Sequence, residues 1–414
     1  MTKNPGKSAI VIGGSIAGLA AALLLRRDGW TVDIYERSES ALAGRGAGIV
    51  THADLFAVLA EAGVAIGPES GVSVTARRVF DADGSCLAEM AYPQVLTSWD
   101  RLYDALRAAF PPARYHLGHS LRDIRDEGDA VVARFANGVT RSADLLVGAD
   151  GFRSAARGRF MPEVEPQYAG YVAWRGLVAE ADIAAGTHRD LFSRFAFSLP
   201  AGEQMLGYPV AGADNDMRPG KRRYNWVWYR AAGPADLRDL LRDGDGTVHD
   251  LSIPPPLIRA EVLAAMRAAA DRVLAPQFAE LVRLTHQPFF QPIYDLEAPR
   301  LAIGRVALIG DAAFVARPHV GAGVTKAAQD AFALAAALRG GGDVATALRS
   351  FERERLAVGR RIIARARQLG AYMQSQTGFG GGAREDGRSP ASVMRDTASL
   401  DFLRQAPEPE PLPA

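Results

Sequence analysis

One cysteine, Cys86, occurs in 414 residues, which excludes an intrachain disulfide and a cysteine-based metal site. Long apolar runs are missing too: none reaches the roughly 20 residues that a membrane-spanning helix needs. The N-terminus enters a strand pattern almost at once, with no apolar signal core and no cleavage site. A soluble, cytoplasmic protein without a membrane partner is therefore expected. No excess charge of either sign exists, since 48 Lys and Arg balance 47 Asp and Glu to a formal net charge of +1. Such a chain has no long-range pull toward nucleic acid or an anionic surface, which disfavours a nucleic-acid role. His and Cys are not clustered at ligand spacing, so no metal is expected, and no internal repeat of fixed period is present. What the chain does have is apolar content, 48%, enough at this length for a large core and two or three domains. Cys86, within a strand pattern at residues 85–91, reads as a small buried hydrophobe.

Three separated patterns carry the chemistry. Ser8-Ala9-Ile10-Val11-Ile12 is a β-branched run long enough for one buried parallel strand, and a helical spacing follows from Ile16 to Arg27. Between them, Gly13-Gly14-Ser15-Ile16-Ala17-Gly18 has the form of a dinucleotide-binding turn. The first Gly serves backbone geometry, the second allows close approach to a pyrophosphate, and the third lets helix pack on strand. Ser15 stands at the second of these positions, where a small hydroxyl side chain can itself donate to phosphate. The helix N-terminus adds free N–H groups and a partial positive charge. Thr31-Val32-Asp33-Ile34-Tyr35 reads as the next strand, with Glu36 at its end placed as the ribose-binding acid requires, and Arg37 beside it.

The second pattern is the apolar strand Leu145-Leu146-Val147, ending in Gly148-Ala149-Asp150-Gly151-Phe152-Arg153-Ser154. It projects Asp150 toward a cofactor crevice; the bland alternative is a turn-forming Asp-Gly pair with Ser154 as a helix cap. The third is Val306-Ala307-Leu308-Ile309-Gly310-Asp311-Ala312-Ala313, followed by Pro318 and by Gly321-Ala322-Gly323 at the start of a helix. An acid at Asp311 suits the ribityl hydroxyls of FAD. The helix N-terminus beyond it suits the pyrimidine edge of the isoalloxazine, where reduced flavin carries negative charge.

The alternation of patterns predicts a doubly wound nucleotide domain that is left and re-entered, with a mostly antiparallel sheet domain inserted. Helices are expected near residues 54–62, 101–110 and 257–284, and aromatic, β-branched strands across 168–230. The division is 1–75, 98–167 and 285–345 for the nucleotide part and 76–97 and 168–284 for the substrate part. A C-terminal helix is expected at 346–374, and a flexible tail, Pro-rich and acidic at its end, at 375–414.

In this combination the span from about Lys7 to Gly370 resembles the FAD-dependent aromatic hydroxylases of the para-hydroxybenzoate hydroxylase fold. The glycine turn, Tyr168-Ala169-Gly170-Tyr171-Val172-Ala173-Trp174-Arg175-Gly176 and Arg317-Pro318-His319 are similar to the 2,6-dihydroxypyridine 3-hydroxylase branch. The resemblance implies an α/β Rossmann-type FAD-binding domain with an inserted antiparallel sheet domain, FAD as cofactor and NAD(P)H as transient reductant. It implies transfer of one atom of O2 from a flavin hydroperoxide to an electron-rich aromatic or heteroaromatic ring, with a homodimer left open as a partner. Gly13, Ser15, Ile16, Ala17, Gly18, Glu36 and Arg37 are implied to hold the ADP half, Asp150 to belong to a fingerprint shared by FAD and NAD(P)H, and Asp311, Pro318, Gly321, Ala322 and Gly323 to hold the flavin end.

Two positions depart from the family, Trp99 where many relatives carry Arg and Phe314 where many carry His. His52, Tyr208 and His319 are the candidates for substrate chemistry: a near-neutral histidine can accept a ring hydroxyl proton and a phenol can hydrogen-bond a substituent. Trp226 and Trp228 share one face of a strand, as an aromatic pocket floor or as core, and Arg317 is either a charge for an anionic substrate or a loop anchor. An epoxidase or Baeyer–Villiger-type oxygenase on the same scaffold is the alternative reaction. A geranylgeranyl-reductase-like flavoprotein and a non-catalytic flavin-binding redox sensor are further readings. A halogenase is disfavoured, because Trp226-Val227-Trp228 continues into Tyr229-Arg230 rather than the Trp-x-Trp-x-Ile-Pro form.

Overall fold

A computed structural model describes residues 6–42, 48–374 and 389–404. Gly46 and Ala47 of the turn before Gly48, the glycine run 378–382 and the end 405–414 lie outside the described residues.

Ser8–Ile12 lies in the middle of a six-stranded sheet because it is apolar and buried from Ala9 to Ile12 and can be covered on both faces. It pairs in parallel with Thr31–Tyr35 on one side and Leu145–Gly148 on the other, and Leu145–Gly148 pairs in parallel with Val306–Leu308. The register aligns the carboxyl ends: Ile12 lies opposite both Tyr35 and Gly148, and Gly148 opposite Leu308. The turn after Ile12, the acid after Tyr35, the Ala149-Asp150 corner and the Gly310-Asp311 corner thus all leave the sheet at one edge, where ligands of open parallel sheets bind. Helix Ile16–Arg27, buried over most of its length, packs between this sheet and helix Gly323–Arg339.

The second sheet has nine strands and is antiparallel except where Arg194–Ser198 runs parallel to Val72–Phe80. Its two faces follow the period of a strand. Trp174, Met205, Tyr224, Trp226 and Trp228 point to one side, against helices Ala260–Val273 and Pro276–Leu284. Tyr171, Phe195, Leu206, Tyr208, Val227 and Tyr229 point to the other, toward the carboxyl edge of the first sheet. Trp226 and Trp228 are accordingly core, their indole N–H groups donating to Thr285 Oγ1 and Glu203 Oε2 at 2.8 Å each.

Several boundaries differ from the sequence reading. Gly48–Val50, Val72–Phe80 and Phe289–Glu297 all belong to the nine-stranded sheet, because their register partners are its strands. Strand Cys86–Ser98 runs on until Ser98 caps helix Trp99–Ala109. Cys86 is exposed rather than buried, since it opens this strand just past the turn at Gly84. Residues 389–404 are not a flexible tail: helix Pro390–Asp396 and the turn after it pack on strands Val72–Phe80 and Cys86–Ser98 and on the long helix Val344–Gln374. Among the described residues no helix is long and apolar enough to cross a membrane.

Phe314 is 1% exposed and fills the space beside Gly359 of the long helix; a Cβ at Gly359 would fall 2.3 Å from its ring. We expect Gly359→Ala to destabilise the protein by about 1–3 kcal/mol through overpacking, read as a lowered thermal midpoint, with Phe314→Leu restoring part of the loss in the double variant.

Candidate active site

The glycine turn is fitted to its neighbours on every side. Gly13 adopts φ +100°, and a Cβ there would meet the Ala149 carbonyl oxygen at 2.4 Å. A Cβ at Gly14 would strike the Tyr115 hydroxyl, which donates to the Gly14 carbonyl at 2.8 Å, and one at Gly18 would lie 2.0 Å from the Gly13 oxygen. Ser15 precedes the helix, and its hydroxyl makes no capping bond. Glu36, 6% exposed, accepts from the Gly14 N–H at 2.8 Å and the Ser38 N–H at 2.9 Å, one on each oxygen, so each oxygen keeps a second lone pair. Gly13, Ser15, Glu36, the exposed Arg37, His119, Leu121 and Asp150 line one cavity of about 210 Å³. Ile16 and Ala17 lie buried beneath it.

Asp150 behaves locally as a cap: it accepts from Ser154 Oγ at 2.6 Å and from the Ala155 and Ala156 N–H groups at 2.7 and 3.1 Å. The bland reading of its turn is thus correct as far as it goes, yet the same carboxylate borders the cavity. Arg157, in the helix that Asp150 and Ser154 cap, is 5% exposed and donates to the Ala312 carbonyl at 3.1 Å, which ties the second pattern to the third.

Gly310 is gripped from both sides. Its N–H donates to Asp330 Oδ2 at 3.0 Å and its carbonyl accepts from Lys326 Nζ at 2.8 Å, while Arg355 donates to Asp330 Oδ1 at 2.8 Å. All three charged side chains are buried. Burial works against the Asp330 charge, but Lys326 and Arg355 more than offset it and hold its carboxyl below the ordinary range. The grip leaves the Asp311 carboxylate facing two cavities, without a hydrogen bond among the described residues; partial desolvation by the protein packed around these cavities raises its pKa, with Lys326 opposing. The Lys326–Asp330 pair was missed in the sequence, although its i,i+4 spacing among alanines was the available signal.

One of those cavities, about 230 Å³, runs from Asp311, Pro318 and Gly321, Ala322 and Gly323 to the sheet face of Phe195, Leu206, Tyr208, Val227 and Tyr229. The other, about 340 Å³, has Phe152, Tyr294, Asp311 and Pro318 in its walls. Arg175 lines both. Its guanidinium forms no salt bridge or hydrogen bond among the described residues, and its Nε is buried without a partner. Sequence reasoning quoted Arg175 only as part of a motif; its alternation with Tyr171 and Ala173, against Val172 and Trp174, is what marks it as facing the cavity. Tyr208 and Tyr229 stand near it. Burial pushes the Tyr208 phenol well up and the Tyr229 phenol to about 12, and the Arg175 charge opposes both shifts, so the two phenols stay protonated donors at neutral pH.

The histidines lie elsewhere. His319 is 1% exposed, 2.9 Å from the Tyr171 hydroxyl through Nε2 and packed on Tyr229, in a separate small cavity with Gln204 and Arg365. His52 pairs through Nδ1 with Thr325 Oγ1 at 3.0 Å and lines none of these cavities. Arg317 is clamped on Asp295 through Nε and Nη2 at 2.9–3.2 Å, as an anchor would be, and it also lines the cavity of Arg175 and Tyr208. Trp99 stacks on Tyr103 with ring centres 4.8 Å apart and borders none of these cavities.

The FAD binding domain family matches residues 7–197 and 291–366, and an FAD binding domain-like family matches residues 168–295. Over 374 residues the chain is 34% identical to 2,6-dihydroxypyridine 3-monooxygenase of Paenarthrobacter nicotinovorans, covering 89% of this chain and 92% of that protein. It is 28% identical over 390 residues to the FAD-dependent urate hydroxylase of Klebsiella pneumoniae, covering 87% and 88%. The crystal structure of 2,6-dihydroxypyridine-3-hydroxylase from Arthrobacter nicotinovorans superposes with a TM-score of 0.83 at 32% identity, covering 91% of this chain and 95% of that one.

His52 makes the site region sensitive to acid. Burial disfavours its imidazolium and lowers its pKa to about 4, against the Ala398 carbonyl, which favours the charged form. In the unfolded chain the value is about 6.5, so between the two values only the unfolded chain holds the proton. The stability that follows is complete above about pH 6.5 and is lost as pH falls toward 4. Denaturant titrations of wild type and His52→Asn should show the acid-induced loss reduced by up to about 3 kcal/mol in the variant.

Proposed function

This chain belongs to the FAD-dependent aromatic hydroxylases, and from that premise we propose that it hydroxylates a small, electron-rich heteroaromatic ring carrying an ionisable hydroxyl, of the kind for which its dihydroxypyridine relative is named. One observation carries the reading: Arg175, with no ion-pair or hydrogen-bond partner among the described residues, enters a cavity on the side of the sheet face Phe195, Leu206, Tyr208, Val227 and Tyr229, while the other charged residues of the lining, Asp311, Arg317 and Lys326, stand on the loop and helix side. An apolar, aromatic wall suits a flat ring, and a cation without a counter-ion in low dielectric suits a ring that binds as its oxyanion.

The residues present fit FAD. The turn at Gly13, Ser15, Ile16, Ala17 and Gly18 leaves room where side chains would collide, and Ser15 keeps its hydroxyl for a phosphate. Glu36 has lone pairs left for ribose hydroxyls, with Arg37 at the cavity rim. Asp311 has an unpaired carboxylate for ribityl hydroxyls, and Pro318, Gly321, Ala322 and Gly323 present backbone at the helix start to the ring end. Bound FAD supplies hydride acceptance from NAD(P)H and the activation of O2 for insertion of one oxygen atom into the ring, the other leaving as water.

This chain's part is binding, orientation and electrostatics. Arg175 stabilises the ionised ring hydroxyl and so raises electron density at the carbon to be attacked. Tyr208 donates a hydrogen bond to a ring substituent. Phe195, Leu206 and Val227 exclude water from the reacting face. Neither His52 nor His319 lines this cavity, so the ring gives its proton to solvent water as it binds, and the Arg175 charge favours the resulting oxyanion in place of a histidine base.

The test is a panel of hydroxylated pyridines and phenols offered to the FAD-loaded protein, with NAD(P)H oxidation, oxygen uptake and product mass recorded. Stimulated oxidation with a product heavier by one oxygen supports the reading; flavin-loaded protein that oxidises NAD(P)H no faster with any ring contradicts it. With the best ring, Arg175→Met should raise KM on the order of 30-fold or more through loss of a desolvated charge pair. Tyr208→Phe should cost about fivefold in kcat/KM, one hydrogen bond's worth.

A further inference from the structure

Arg77, in the strand Val72–Phe80, is 0% exposed. No carboxylate pairs with it among the described residues. Its Nη1 donates to the carbonyls of Met394 and Thr397, the latter at 2.6 Å, and its Nη2 to Gln94 Oε1 at 2.8 Å and to the Ala398 carbonyl at 3.5 Å. The Tyr92 ring lies 3.8 Å from the guanidinium carbon and the Phe195 ring 5.2 Å. A charge so completely removed from water persists only where fixed acceptors replace its hydration. Here all but one of them are carbonyls of the short C-terminal stretch from Met394 to Ala398.

That stretch reaches the site. Thr397 and Ala398 line the same cavity as Arg175, Tyr208 and Asp311. The Ala398 N–H donates to the His319 carbonyl at 2.8 Å, and Arg361 donates to the Phe402 carbonyl at 2.6 Å. Ala398 holds φ +53°, a left-handed conformation that costs a residue with a Cβ and persists only where its surroundings impose it. Its methyl occupies the space that a side chain at position 321 would need: a Cβ on Gly321 would fall 2.8 Å from the Ala398 Cβ. Flavin loop and C-terminal segment are fitted to one another.

We propose that residues 389–404 form a wall of the ring-binding cavity and that Arg77 is the residue that positions this wall, so that exclusion of water from the reacting ring depends on a side chain that touches neither ring nor flavin. The inference rests on the hydroxylase reading above. When the wall is displaced, water enters and reduced equivalents go to hydrogen peroxide instead of product: NAD(P)H still gives up its hydride, and O2 takes both electrons and two protons.

The test uses full-length, FAD-loaded Arg77→Met and Arg77→Lys, the latter keeping the charge but not the planar fork that spans several carbonyls. Hydrogen exchange of the amides from Ser392 to Ala398 reads the wall without turnover; it should quicken by at least about tenfold in both variants while the strand Ser8–Ile12 is unchanged. With the ring found by the panel, product formed per NAD(P)H should fall severalfold, peroxide should account for the deficit, and the rate of flavin reduction should stay near wild type.

Unchanged exchange in Arg77→Met removes Arg77 as the positioning residue; quickened exchange with undiminished coupling removes the wall. Should the Arg77 variants fail to load FAD, Ala398→Val decides, since a β-branched residue cannot hold this backbone conformation and Arg77 is left in place. Lowered coupling supports the wall and wild-type coupling overturns it. If wild type hydroxylates no ring, the hydroxylase reading fails, while the exchange arm still reports on Arg77.

Discussion

Everything at this site hangs on how the Gly310 peptide is held. A buried carboxylate, Asp330, takes its N–H, and a buried ammonium, Lys326, takes its carbonyl, with Arg355 donating to the other oxygen of Asp330. Such a cluster is costly to assemble and more costly to break, because removing one member strands the others without water. Its structural consequence is that Asp311 stays out of the network and keeps its oxygens for a ligand. The same loop packs against Ala17 of the first pattern and, through Ala312, is tied to Arg157 of the second. Three segments distant in sequence become one surface through these contacts and through the strand register behind them.

The candidate cavity then forms between that surface and one face of the nine-stranded sheet. Period-two alternation separates two kinds of aromatic residue there: the tryptophans go to the helical layer, and Tyr208, Tyr229 and Phe195 go to the cavity. Arg175 shares the cavity face and is the one side chain of that face that brings an unpaired charge to the cavity, with the Asp311 carboxylate unpaired on the opposite, loop side. Placed against tyrosines that remain protonated, it sets the sign of the potential a ring would meet.

Much of this was legible in the sequence because it is local chemistry. A β-branched run, glycines that a turn and a tight helix-on-strand contact demand, and an acid after the next strand all lie within one βαβ unit. The corners at Asp150 and Asp311 repeat the same grammar. The face to which the tryptophans point was not legible, since alternation tells which residues share a side but not what covers it. His52 and His319 drew attention as lone histidines, yet each is paired with a neighbouring hydroxyl, and neither lines the cavity of Arg175 and Tyr208. The C-terminal segment read as tail by composition; its anchor, Arg77, finds backbone carbonyls 317 and 320 residues further along, and no local pattern records such a partner. Next to it, Arg78 points outward to Glu89, so adjacent arginines in one strand have opposite fates.

The central claim is electrostatic: Arg175 makes the cavity favour an ionised ring. The direct measurement is the ionisation of a bound hydroxylated pyridine, followed by its ultraviolet spectrum as pH is varied with the FAD-loaded protein in excess. The account predicts that the bound ring loses its proton at lower pH than the free ring, and that Arg175→Met returns the transition toward the free value. A bound ring that titrates where the free ring does in wild type would contradict it.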